Sequence, residues 1–303
     1  MTELTVFQQK FSALCGDIEL RFNESMAKHT SFRIGGPAEV MAFPKTRDQL
    51  AKLLKTSALL DCPFAILGAG TNVLAPDEEM SGLVICLKDA LSGLERLDNT
   101  RIRVMGGITM AKAAVWAAGL GLSGMEFAHG IPGTVGGGVY MNAGAYGGEL
   151  SNIIESVEVM DFGGNVRRLN CEEMDFSYRH SRLEEEGGIV ISTDFVLVPK
   201  AEEEIRSLMK ELQTKRTASQ PLDLPSAGSA FKRPVGGYAA ALIDQAGLKG
   251  FCVGGAAISE KHAGFAVNLG GATAADVKQL LQQVSDRVYE TSGIRIEPEV
   301  RIW

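Results

Sequence analysis

Three short segments of this 303-residue chain carry side chains suited to holding an anion or moving a proton. Tyr178-Arg179-His180-Ser181-Arg182 sets two guanidiniums within five residues. A guanidinium fork binds carboxylate or phosphate through paired hydrogen bonds. The segment therefore reads either as an anion clamp or as a solvated cluster paired with Glu184, Glu185 and Glu186. Gly228-Ser229-Ala230-Phe231-Lys232-Arg233-Pro234 places a hydroxyl between small residues, just before two cations. It lacks the GxSxG elbow of hydrolases and is either a site hydroxyl or a turn serine. Glu297-Pro298-Glu299-Val300-Arg301 alternates like a strand, which puts Glu297, Glu299 and Arg301 on one face. That face is either functional or a solvated edge.

Two glycine-rich loops have the composition to cradle a cofactor. Gly68-Ala69-Gly70-Thr71-Asn72 follows an apolar strand, and closely spaced glycines let backbone N–H groups approach a pyrophosphate. It is not a dinucleotide fingerprint: the third glycine is missing and Val73-Leu74-Ala75-Pro76 does not open a helix. Alone it is equally an ordinary turn. The second loop, residues 130–137, opens a glycine-dense stretch over 130–148 that suits neither helix nor strand throughout. Its interleaved Ile, Val, Tyr and Met are unlike a linker. Two such loops, each beside apolar strands, suit a long cofactor lying across two lobes. The four histidines (His29, His129, His180, His262) are isolated and no HExxH or Cys/His cluster occurs, so no metal site is expected. His129 borders the second loop and is expected to pack there.

The elements that must position these groups read as mixed helix and strand. Residues 1–30 suggest a short helical leader. Strands are expected at 38–43, 64–67, 83–87, 101–105, 154–161, 166–169, 189–197, 263–268 and along the terminal IRIEPEVRIW; helices at 48–60, 110–118, 202–216, 238–246 and 274–291. Thr109 and Thr273 are set to cap two of these helices. Residues 217–229, with Pro221 and Pro225, read as a loop and hinge. No internal repeat is evident.

The bulk composition bounds the function. A net charge of -7 argues against a general nucleic-acid binder, whose affinity comes from basic residues on phosphates. Five scattered cysteines without a CxxC read as reduced thiols of a cytoplasmic protein. The first twenty residues lack a secretory layout. Residues 113–125, the most apolar stretch, are too few to span a bilayer, so no membrane partner is expected.

The segments HTSFRIGGPAEV (29–40), GAGTNVL (68–74), GMEFAHGIPGTVGG (124–137), MNAGAYGGE (141–149), YRHSR (178–182), KRTASQP (215–221), GSAFKRP (228–234), KHAGFAVN (261–268) and EPEVRI (297–302) together resemble the UDP-N-acetylenolpyruvoylglucosamine reductase family, also called UDP-N-acetylmuramate dehydrogenase. They cover about residues 29–302 in the family's order, and the series is specific where each member alone is not.

The resemblance implies an α+β protein with the FAD-binding fold of the vanillyl-alcohol-oxidase type. Its two flavin lobes would span 1–85 and 86–205, the second joined by the C-terminal strand 294–303, with a substrate domain at 206–293. It looks like the shorter form, without an inserted substrate-clamping Tyr. FAD and NADPH are the implied cofactors and UDP-N-acetylglucosamine enolpyruvate the implied substrate, handled by a monomer or weak dimer. By motif, Ser229 would be the proton donor, Arg179 and Glu299 its helpers; Glu299 is preferred to Glu297 because the family's Glu directly precedes the Val-Arg pair. Gly68, Ala69, Gly70, Thr71, Asn72, Gly130, Ile131, Gly133, Thr134, Gly137, Ala143 and Arg301 would contact FAD. Tyr178, Arg182, Arg216, Lys232, Lys261, His262 and Asn268 would contact substrate. Arg233 departs from relatives that carry Asn there. The rival readings are a flavin oxidase of the same fold, tethered through His129, and a non-catalytic nucleotide-binding module.

Overall fold

A computed structural model describes residues 4–303, which form two compact units. The first comprises the chain up to Phe22, Glu39–Ala69 and Ser81–Thr214; the second comprises Asn23–Ala38, Gly70–Met80 and Lys215–Trp303. This division cuts across the expected boundaries near 85 and 205. The reason is apolar burial: Phe32, Ile34 and Leu74 share one core with C-terminal residues such as Ile243, Leu280 and Val284.

The first unit begins with the helix Val6–Leu14, started by a capping box between Thr5 and Gln8. The expected leader stops there, and Glu19–Ser25 is a strand. Alternate residues are exposed along it, and Leu20 and Phe22 pack on the core, a period of two that a helix cannot satisfy. A four-stranded sheet runs Glu19–Ser25, Pro37–Phe43, Met80–Cys86, Phe64–Leu67, the last two parallel. A five-stranded sheet runs Val166–Asn170, Ile154–Met160, Ile189–Val196, Arg101–Met105, Leu94–Arg96. Its central strand buries Asp194, which Arg103 grips through both carboxylate oxygens (2.7 and 2.8 Å) and Arg168 reaches at 2.7 Å. Two guanidiniums thus offset the desolvation of one buried carboxylate.

Gly106 follows the strand Arg101–Met105 and joins three parts of this unit. Its N–H donates to Ile191 O (2.8 Å), its carbonyl accepts from Gly136 N (2.8 Å), and the next residue's carbonyl accepts from Asp89 N (3.2 Å). A Cβ on Gly106 would collide with the Val190 carbonyl oxygen. The glycine-dense stretch contains one short helix, Val135–Tyr140. Poor intrinsic propensity is overridden by packing: a Cβ on Gly138 would stand 3.0 Å from Met110 Sδ and 3.2 Å from Leu150 Cδ1.

The second unit is a four-stranded antiparallel sheet in the order Ser226–Ser229, Phe265–Asn268, Ala256–Ile258, Cys252–Val253, with the helix Ala274–Ser292 supplying Val277, Leu280, Leu281, Val284 and Val288 to the core. Every donor at that helix's start has a partner. Thr273 Oγ1 takes Asp276 N, Asp276 Oδ2 takes Thr273 N and Gly255 N, and Asp77 takes the N–H groups of Ala274 and Ala275 (2.7 and 3.0 Å). Gly293 ends the helix in the left-handed conformation. The terminal segment, expected as one strand joined to residues 86–205, is a strand only over Arg301–Ile302 and pairs in parallel with Val73–Leu74. Pro298 has no N–H to extend the ladder. No helix among the described residues is long and apolar enough to cross a membrane.

Gly106→Ala is expected to destabilise the protein by about 3 kcal/mol, since a backbone carbonyl cannot move aside as a side chain can; denaturant unfolding measures it. The N–H groups of Thr273 and Gly255 hold the Asp276 carboxyl below the usual carboxylate range. A lowered value contributes stability above the unfolded pKa, near 4, and loses it as pH falls through the folded value. The thermal-stability gap between the parent and Asp276→Ala should therefore be widest near neutral pH and close in acid below about pH 4.

Candidate active site

The two glycine loops meet at Gly68 and Thr134. A Cβ on Gly68 would stand 2.8 Å from Thr134 Oγ1, so only glycine lets them approach this closely. Thr134 caps the helix Val135–Tyr140 through Gly137 N (3.2 Å). The second loop is fastened by Val135 N to Ile108 O (2.7 Å) and Met110 N to Gly133 O (3.0 Å). The Ile131 side chain packs on the core and Ala143 N bonds Gly138 O (2.8 Å). Among the described residues no protein acceptor takes the N–H groups of Gly68, Ala69, Gly130, Gly133 or Thr134. Unclaimed donors on two apposed loops fit the oxygens of a dinucleotide diphosphate, so the residues present suit FAD.

Arg179 sits at the tip of a tight turn closed by Ser177 and His180, whose N–H and C=O groups exchange bonds at 3.2 Å. Its φ of 58° is left-handed, which costs a residue with a side chain about 1–2 kcal/mol. Surrounding bonds hold it there: Asn142 Nδ2 donates to Ser177 O (3.0 Å), Asn142 Oδ1 accepts from Ser151 N (3.0 Å), and Ser181 Oγ donates to Tyr140 O (2.8 Å). The guanidinium lies over the Tyr178 ring (5.0 Å) and donates to Gly144 O at 3.3 Å. Segments 141–149 and 178–182 are thus built as one piece. Arg182 pairs with Glu186 (3.4 Å), and His180 faces Glu184 and Glu185 (3.4 and 3.6 Å).

In the second unit, Ser229 and Glu299 lie on neighbouring segments. Glu299 N donates to Ala230 O (2.9 Å) and Lys232 N to Glu297 O (2.9 Å), on either side of a bridge between Phe231 and Pro298. Glu299 therefore faces Ala230, one residue from Ser229, whereas Glu297 faces Lys232. Glu299 is half-buried and Glu297 exposed. Asn72 binds the same segment, with Nδ2 on Glu299 O (3.2 Å) and its carbonyl accepting from Arg301 N (3.0 Å). Gly70, at φ 63°, lies against the His29 carbonyl, where a Cβ would collide, and Thr71 follows it half-buried.

Ser229 is also in register with Phe265, whose ring meets His262 edge-on at 5.1 Å. Burial pushes the His262 pKa down, favouring the neutral ring. Gly264 N donates to His262 Nδ1 (3.1 Å), so the ring proton is on Nε2. Lys261 Nζ bonds Thr217 O (2.6 Å), and Arg216 is half-buried in the last turn of the helix Glu202–Ser219. Asn268 is buried and uses its amide on Phe32 O, Gly270 N and Ala272 N (3.0, 2.8 and 3.2 Å), which holds the turn after its strand. Sequence reasoning missed Gly106 and Asn142. The available signals were a Gly-Gly pair closing a strand and an Asn inside the glycine-dense stretch, where Asn tolerates the left-handed φ of 41° it adopts.

Residues 38–170 match the family described as FAD binding domain, and residues 220–303 match UDP-N-acetylenolpyruvoylglucosamine reductase, C-terminal domain. The chain is 46% identical over 291 residues to the UDP-N-acetylenolpyruvoylglucosamine reductase of Agathobacter rectalis, covering 92% of each chain. It is 44% identical to that of Caldanaerobacter subterraneus subsp. tengcongensis, covering 100% of this chain and 99% of the relative. The crystal structure of UDP-N-acetylenolpyruvylglucosamine reductase from Thermus caldophilus matches with a TM-score of 0.77 at 36% identity, over 94% of this chain and 98% of that one. An alkyldihydroxyacetonephosphate synthase, 11% identical with a TM-score of 0.50 over 66% of this chain, shares the fold alone.

Gly68→Val should displace Thr134. Overpacking of this kind costs about 1–3 kcal/mol, so FAD affinity should fall about tenfold or more. Titrating apo-protein with FAD tests this; unchanged affinity would remove Gly68 from the cofactor loop.

Proposed function

The chain belongs to the UDP-N-acetylenolpyruvoylglucosamine reductase family, and we propose that Ser229, Glu299 and Arg179 serve in it to reduce UDP-N-acetylglucosamine enolpyruvate to UDP-N-acetylmuramate, a precursor of peptidoglycan. When bound, FAD supplies the hydride that the vinyl methylene carbon accepts, with NADPH as the source of electrons. Hydride addition leaves negative charge on C2 and its carboxylate. Arg179 offers a charged fork to that carboxylate, and Glu299 a carboxyl donor; fixed donors aimed at developing charge are often the largest catalytic contribution. Ser229 Oγ delivers the proton to C2, completing the lactyl ether.

The observation that supports this reading is the pairing of the 230–232 and 297–299 segments, in which the Glu299 backbone pairs with Ala230, the residue after Ser229, and that of Glu297 with Lys232. The rigid mounting of Arg179, held through Asn142 and Ser181, supports its role as a positioned anion clamp. Lys232, Lys261, Arg216 and Arg182 supply the positive charge that a UDP diphosphate needs, and Tyr178 an apolar ring beside Arg179. His262, with its proton on Nε2, is a neutral donor for the same ligand. Asn268 acts through the turn it holds. Five free cysteines support a cytoplasmic setting, where the protein works as a monomer or weak dimer.

Anaerobic protein should bleach on adding NADPH and regain its flavin colour on adding the UDP-enolpyruvyl sugar; failure of the second step would exclude this substrate. Ser229→Ala should leave bleaching near normal and slow the return of colour by about 10²–10⁴-fold, the usual worth of a general acid. Equal loss in both half-reactions would sink the role of Ser229. Glu299→Gln should slow the second half-reaction and Glu297→Gln should not; the reverse result would exchange the two glutamates.

A further inference from the structure

His129 immediately precedes the second glycine loop, and its Nδ1 is buried with no hydrogen-bond partner. Buried polar atoms are nearly always paired, and leaving one unpaired costs about 1–3 kcal/mol. The nearest acidic side chain in the sequence is turned to other partners. Glu126, three residues earlier, has one carboxylate oxygen on Ser123 Oγ (2.6 Å) and the other on Gly124 N (2.7 Å). Two other buried side-chain atoms among the described residues share this condition, Thr193 Oγ1 and Gln220 Oε1, but neither adjoins a cofactor loop. The unclaimed N–H groups of Gly130, Gly133 and Thr134 follow His129 directly.

We infer that His129 Nδ1 is a cofactor-binding donor, completing this set of donors by giving a hydrogen bond to a diphosphate oxygen of FAD. The inference rests on the FAD-dependent reading above. Diphosphate oxygens only accept, so the ring carries its proton on Nδ1. The imidazole adds a ring N–H to the backbone N–H groups that the loop offers. It acts non-covalently, so the flavin leaves the protein on acid precipitation.

The test is FAD titration of apo-protein for the parent, His129→Leu, His129→Asn and His129→Gln, with the thermal stability of each apo form measured alongside. Asn presents an amide donor near the position of Nδ1, Gln near that of Nε2. His129→Leu should bind FAD about 10- to 100-fold more weakly, the worth of a hydrogen bond to a charged group. Its apo form should be as stable as the parent or more so, because an unpaired buried atom has been removed. His129→Asn should bind close to the parent and His129→Gln as weakly as His129→Leu. Parental affinity in His129→Leu would overturn the inference, as it would if a water satisfied Nδ1. If the Leu variant fails to fold, tighter binding by Gln than by Asn overturns it. A parent that binds no FAD would instead overturn the functional reading itself.

Discussion

The first unit depends on a contact that leaves no room for a side chain, the backbone junction at Gly106. Three hydrogen bonds converge on Gly106 and Gly107, from the central strand of one sheet, from the turn after the other sheet, and from the helix that follows the second glycine loop. Such a junction transmits position well because backbone groups have few alternative arrangements. The loop that presents unclaimed N–H groups is therefore placed by the two sheets and not by its own conformation. This explains how a stretch too rich in glycine to be stable alone can hold one defined shape in the fold. The conformational entropy it loses on folding is offset by contacts to Met110, Leu150 and the sheets.

In the second unit the comparable role falls to a short strap of main chain. Asn72 ties the segment after Gly70 to Glu299 and Arg301, and the same Glu299 ties back to Ala230. Three stretches distant in sequence are held by a handful of bonds, two of them from one asparagine. Pro298 has no N–H to give, so the pairing here rests on the bonds of its two neighbours. Within this short segment Glu299 is half-buried and Glu297, two residues away, is exposed.

Several polar residues within the motif segments serve the scaffold. Asn142 and Asn268 are buried and hold turns together, each through three or fewer backbone partners. Arg182 and His180 face acidic neighbours on their own segment. Charge that sequence alone assigns to substrate is in part already engaged within the protein, and only Arg179 of that cluster is mounted on a turn strained enough to need such support. Holding an arginine in a left-handed turn is costly, and the fold provides the bonds that keep it there.

Much of the local structure was legible in the sequence, because helices and strands follow periodicity and caps that lie within a few residues. Thr109 and Thr273 start their helices as their spacing suggests, and 64–67 and 101–105 are strands at those bounds. The ordered series of motifs was enough to point to the family and to its flavin. What lay beyond reach were choices between equivalent residues and the partners of long-range contacts. Nothing in EPEVR says which residues Glu297 and Glu299 face; the pairing with residues 230–232 puts Glu299 opposite Ala230 and Glu297 opposite Lys232. Nothing near Arg301 names Val73 as its neighbour, and nothing in GMEFAHG reveals that Glu126 is already engaged and His129 Nδ1 is not. Local pattern is set by backbone geometry, which each residue carries with it. Who pairs with whom depends on which groups remain unsatisfied once segments tens or hundreds of residues apart have packed, and only the tertiary structure decides that.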